Sequence, residues 1–188
     1  MSGYTVAPLQ QDLFAVLIPW LVSITGLPQA NVQQGLQNRN PMPQAAPGFV
    51  IATVTGMRRL RTNIDTWGTS GDPSSIQHEM GTEVRIQVDF YGASSQDWAA
   101  AFATLWRDDS GCIALAGPYE GYTGVVPICQ PLHADEPRMM PFEDTEDQYE
   151  QRWTVDAILQ YNPVTSDPMQ FADALSVDLI NVDETYPP

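Results

Sequence analysis

Lysine is absent from this chain of 188 residues, so its eight cations are all Arg. Cys and His are also scarce, at two each, while 23 Asp and Glu bring the net charge to −15. Each shortage excludes something. A domain that grips nucleic acid presents a basic face, and a chain this acidic has little from which to build one. Cys112 and Cys129 form no CxxC pair, so no zinc knuckle is available; the two could pair with each other, but two thiols in a chain this size are more often free and reduced. The longest apolar run, residues 13–24 (LFAVLIPWLVSI), contains Pro19 and falls short of the ~20 residues of a membrane span. It also lacks the basic start and small-residue cleavage site of a signal peptide. The expectation is a soluble intracellular product with no membrane partner.

What is present is globular. Hydrophobic residues make up 43% and charged residues 16%, enough apolar material for one domain with a real core over residues 1–188. The charge is unevenly placed. Residues 1–92 hold five Arg and six acids, a net of −1, whereas residues 93–188 hold three Arg and seventeen acids, a net of −14. Half of all Arg fall within residues 38–67: Arg39, Arg58, Arg59 and Arg61. Their planar forks suit bidentate carboxylate pairing, so an Arg-bearing surface and an acidic surface can complement each other between identical copies.

The hydrophobic periodicity predicts a helix over 9–25, kinked or ended in its regular part by Pro19 and stopped at Gly26 and Pro28. A short second helix is expected over 29–36, then a Pro-rich connector at 41–48. Residues 49–63 read as a long strand with a bulge at Gly56, and 67–75 as a loop. Residues 83–91 (EVRIQVDFY) alternate strictly, which predicts a strand whose polar face is solvated or meets a partner. A helix follows from Ser94 or Ser95, opened by a Ser94–Asp97 capping box and carrying a stripe of Trp98, Ala101, Phe102, Leu105 and Trp106. Residues 111–124 read as loop, and 125–134, 149–161 and 174–182 as strands. A flexible acidic loop is expected near 135–150, and a frayed tail at 183–188. Strands paired in sequence around a central helix make an α+β fold, a mostly antiparallel sheet with helices on one face.

Few fragments point to chemistry. Asp108-Asp109-Ser110-Gly111 lacks the surroundings of a serine protease, and Gly111 sits where a helix end wants glycine. Cys129, His133, Cys112 and His78 lack zinc-site spacing. Glu143, Asp144, Glu146 and Asp147 could hold a divalent cation but lack a calcium-loop pattern. Four carboxylates this close repel one another, and they read first as a solvated loop and second as a partner-facing one. No catalytic, cofactor or metal residue is assigned.

Several longer stretches resemble the neck and tail terminator proteins of tailed bacteriophages: Gln37-Asn38-Arg39-x-Pro41-x-Pro43, Phe49-Val50, Leu60-x-Thr62-Asn63-x-Asp65-Thr66, residues 83–92, Asp135-Glu136-Pro137 and residues 148–153. The similarity spans roughly residues 9–182. It implies a structural virion protein, made in the bacterial host cytoplasm, that forms a ring, typically hexameric, capping the tail tube. The implied partners are other copies of itself, the tail tube protein and the head–tail connector or adaptor, with genomic DNA passing through the lumen without specific binding. Arg39, Arg58, Arg59 and Arg61 would form one side of a subunit or partner interface, and Glu143, Asp144, Glu146 and Asp147 the other. The alternatives are a head–tail adaptor or tail-completion protein of the same joint, and a small metal-dependent hydrolase using the 143–147 acids.

Overall fold

A computed structural model describes residues 4–37, 43, 46–67, 75–116, 129–143 and 149–168, with 142, 143, 149 and 150 described as backbone only. The chain opens with a short strand, β1 (Thr5–Ala7), and enters helix α1 (Gln10–Thr25). The Asp12 carboxylate accepts the Leu9 N–H at 2.5 Å, holding the first turn, and Leu13, Phe14, Val16, Leu17, Trp20 and Leu21 supply the buried stripe. Gly26 closes the helix in the left-handed conformation at φ 68°, its N–H donating to Val22 O at 2.8 Å. Helix α1 continues six residues past Pro19. The carbonyl that loses its donor belongs to exposed Ala15, where solvent can replace the bond.

The expected helix over 29–36 is instead a 3-10 turn, Gln29–Asn31, followed by strand β2 (Val32–Gln34). Tertiary contacts override the local pattern there. Val32 is buried opposite Val50, and the Asn31 amide donates to Gly48 O at 2.8 Å. Strands β3 (Phe49–Arg59) and β4 (Ile64–Trp67) come next, then β5 (Ser75–Glu79) and β6 (Thr82–Tyr91). The strand expected over 49–63 thus ends at Arg59, with its bulge where expected: register shifts between Val54 and Gly56.

Helix α2 (Ser95–Leu105) leads into α3 (Asp109–Ala116), which replaces the first part of the loop expected over 111–124. The Ser94–Asp97 capping box is not formed, because Ser94 makes no side-chain cap bond. Gly111 lies inside α3 rather than at a helix end. A Cβ there would collide with Leu105 O and stand 2.9 Å from Trp106 O, so glycine is what lets α3 fold back against the end of α2. The remaining strands are β7 (Gln130–Ala134), β8 (Arg138–Met139), β9 (Phe142–Glu143), β10 (Tyr149–Glu150), β11 (Arg152–Gln160) and β12 (Val164–Pro168). Part of the segment expected as an acidic loop therefore pairs as strands, β8 with β11 and β9 with β10. Pro131 sits in edge strand β7 next to a register shift in β11, a place where a missing N–H is tolerated.

Two sheets result. The larger runs β2-β3-β6-β11-β7 with β8 also on β11, and all of its pairs but β2–β3 are antiparallel. The smaller runs β1-β12-β5-β4, antiparallel throughout. They are joined by the chain itself. Strand β3 continues into β4, β5 into β6 and β11 into β12, and all three crossings lie at one level, bridged by Leu60 N–H to Gly81 O and Tyr161 N–H to Thr82 O, both at 2.9 Å. The fold is the expected α+β one.

The core lies between the larger sheet and the helices. Cross-strand rows Val50–Phe90, Ala52–Val88–Val155, Ile86–Ala157 and Val84–Leu159 face the helices, and every one of these side chains is buried. From above, Trp20, Phe102 and Trp106 close on them with ring centroids 5.0–5.7 Å apart. Each large side chain there contributes about 1.5–3 kcal/mol by burial. The Trp106 indole N–H donates to Ile158 O at 3.2 Å, which ties α2 to β11.

Candidate functional site

The helices cover only part of the long strands. From Thr55 onward β3 is exposed, and so is all of β4. This β3–β4 corner carries Met57, Leu60, Ile64 and Trp67, with Met57 and Trp67 each 57% exposed. Arg58, Arg59 and Arg61 stand among them. Around the turn, Arg59, Leu60, Arg61, Thr62, Asn63 and Asp65 line a shallow concavity of about 530 Å³.

Each Arg of the corner has partners in its own chain. Arg58 and Glu83 are cross-strand neighbours, paired at 3.0 Å. Arg59 donates to Arg61 O at 3.1 Å and to the Asn63 side chain. Arg61 donates to Glu79 at 2.6 Å, and Glu79 also accepts from Asn162 at 3.1 Å. The stem of Arg61 lies across Gly81, where a Cβ would meet Nε at 2.5 Å. Arg61 is thus a clamp on the junction of the two sheets. Asp65 and His78, also cross-strand neighbours, pair at 2.7 Å. The corner is locally balanced, three Arg against Asp65, Glu79 and Glu83, and its distinguishing feature is exposed apolar surface rimmed by ion pairs.

The helix-free face of the larger sheet holds a second polar group. Asp89 was expected on a solvated or partner-facing side, yet it is only 5% exposed. It accepts from Arg152 at 3.0 Å, Thr154 at 2.6 Å and Gln87 at 3.0 Å. Phe49 stacks on Tyr91 at 4.3 Å, and the Arg152 guanidinium lies 5.6 Å from the Tyr91 ring centre. Burial, with the Asp89 charge adding to it and Arg152 opposing, raises the Tyr91 phenol above its ordinary value. Strict alternation in 83–91 gave no sign of this cluster, since Asp89 acquires its partners only when β11 pairs beside it.

The predicted acidic side is only partly described. Glu143 lies in β9 as backbone, and Arg39, Asp144, Glu146 and Asp147 fall outside the described residues, as do the strand expected over 174–182 and the 183–188 tail. The position of β9–β10 is nevertheless informative. Glu150 is two residues from Arg152, so the hairpin roots at the Tyr91 end of the sheet, whereas the Arg corner lies at the Thr82 end. The strands between them run ten residues, roughly 25–30 Å.

The residues that might have done chemistry are dispersed. Cys129 is buried and hydrogen-bonded to Leu115 O at 3.3 Å, and burial pushes its thiol up to about 12. Cys112 is a half-buried free thiol, and His133 pairs with Asp135 at 3.0 Å. Among the described residues no three His, Cys, Asp or Glu converge as metal ligands, and no helix is long and apolar enough to cross a membrane.

The family model for phage neck terminator proteins matches residues 11–185, and the chain belongs to that family. It is accordingly a structural protein of the bacteriophage neck, where it associates with other proteins of the virion's tail and head. No curated protein matches the chain closely enough to count as a relative.

Proposed function

We propose that this chain closes the phage tail tube as a ring, typically of six copies, and offers the ring's far side to the head connector. The observation that carries this reading is the separation of the two unlike surfaces. The Arg-rimmed apolar corner lies at the Thr82 end of β6, and the β9–β10 backbone leads into β11 at the Tyr91 end. Two different surfaces on one subunit make a heterologous contact, and a heterologous contact that closes gives a ring without free ends. The −1/−14 division of charge between the chain's halves favours the same arrangement. DNA passes through the opening unbound, since an acidic wall repels phosphate. The protein acts as a building block, without turnover of a substrate.

Electron microscopy of particles assembled without the protein tests the role. Overlong tails, with or without heads, are expected. Tails of normal length that merely lack heads favour an adaptor on the other side of the joint. Normal particles contradict both.

A further inference from the structure

Leu36 is the most exposed large apolar side chain among the described residues, at 91%, and its backbone is left-handed at φ 60°. Glycine or asparagine enters that region at little cost, whereas a bulky apolar residue is strained there. The turn that holds Leu36 is fixed. The Gly35 N–H donates to Ala52 O at 2.8 Å, and a Cβ on Gly35 would stand 2.0 Å from Thr53 Oγ1, so the turn lies flat against β3. Leu36 therefore stands on a rigid base and buries almost nothing in its own copy. Strain held in place by a well-packed surround marks a functional position, and an exposed leucine can serve only as a contact.

An apolar groove of about 420 Å³ lies between α1 and α3. Val16 and Trp20 are its buried residues, Ala15 and Pro19 its exposed ones, and Ala114 closes it from α3. Ser23 brings the one hydroxyl, which already donates to Trp20 O at 2.7 Å. No charged side chain lines the groove. Pro19 leaves the Ala15 carbonyl without its helical donor, so the wall also offers a backbone acceptor.

Anchor and groove sit toward opposite edges of one copy. Leu36 follows β2, one outer strand of the larger sheet, while α3 packs on β7, the other. Four strand spacings separate those edges, about 19 Å. An apolar projection and an apolar groove placed apart on the same chain make a head-to-tail contact between copies. We propose that Leu36 of one copy seats in the α1–α3 groove of the next. The occupant of the groove is a second copy of this chain. The proposal rests on the ring reading above and adds to it the side chain that anchors each subunit and the seat that receives it.

Phage particles assembled with Leu36→Asn test the anchor. Asparagine relieves the strain and removes the apolar contact, so the denaturation midpoint should hold or rise while incorporation falls about tenfold or more. A leucine that served its own fold would behave in the opposite way, and a lowered midpoint or normal incorporation overturns the proposal. Ala15→Glu changes an exposed helical position and brings a charge to the groove, so it should cause the same loss with the fold intact. Normal incorporation of that variant overturns the seat. Should it fail to fold, cross-linking decides. Particles carrying Leu36→Cys, Ser23→Cys and Cys112→Ser, treated with a short bismaleimide, should yield a ladder of covalent oligomers, and particles with either new Cys alone should not. No ladder from particles that contain the chain overturns the contact and leaves the ring reading standing. Wild-type particles without a ring of this chain remove both.

Discussion

Val50 and Met57 share the helix-facing side of β3, because the bulge between Val54 and Gly56 restores the facing that an odd spacing would reverse. Val50 is fully buried beneath the helices, whereas Met57, opposite Val84, is more than half exposed. The same strand thus builds a core along its first half and extends apolar side chains past that core along its second. Its own fold does not need the outer half covered. The inner half makes the domain, and the outer half carries the exposed apolar surface on which the proposed contact with a neighbour rests.

The sharpest way to break this comparison is at the inner half. Phe102→Ala empties the space between Trp20, Phe90 and Trp106 and should cost about 3–5 kcal/mol, read by chemical denaturation. Asp89→Ala follows. It strands Arg152 and Thr154 without their acceptor and should cost about 3 kcal/mol, the low end for a broken buried pair because Arg152 keeps some solvent.

A pH titration gives a smaller, graded effect. The folded-state pKa of Cys129 is raised to about 12 from 9.0, so its contribution is fully present below pH 9 and is lost as pH rises toward 12. Tyr91, also raised, acts in the same direction above pH 10. Stability should therefore decline on the alkaline side, and Cys129→Ala should flatten that decline in denaturation midpoints measured from pH 8 to 11. Arg58→Ala should change least, under about 1 kcal/mol, since its ion pair with Glu83 is solvent-exposed.

Legibility in sequence followed the range of the interactions involved. Helix α1 and strand β6 were readable because their patterns are local: an apolar stripe ended by Gly26, and strict alternation from Val84 to Phe90. Residues 29–36 were misread because Val32 becomes a strand only through pairing with Val50. Helix α3 was missed because Gly111 looks like a terminator in sequence, while its role is to let two helices touch. The Arg concentration was visible at Arg58, Arg59 and Arg61, but not their partners: Glu83 and Glu79 pair with Arg58 and Arg61, and the Asn63 amide oxygen accepts from Arg59. Charge reversal at Arg61 would consequently disturb the junction of the two sheets as well as any interface, which makes the apolar residues the cleaner targets.

The most direct test is the double variant Met57→Thr/Ile64→Thr, compared with wild type for folding stability and for incorporation into phage particles. Both side chains are exposed and threonine suits a strand, so stability should shift by less than about 1 kcal/mol while incorporation is lost. Normal incorporation of the stable variant would contradict the claim that the outer half of these strands is built for a neighbouring chain.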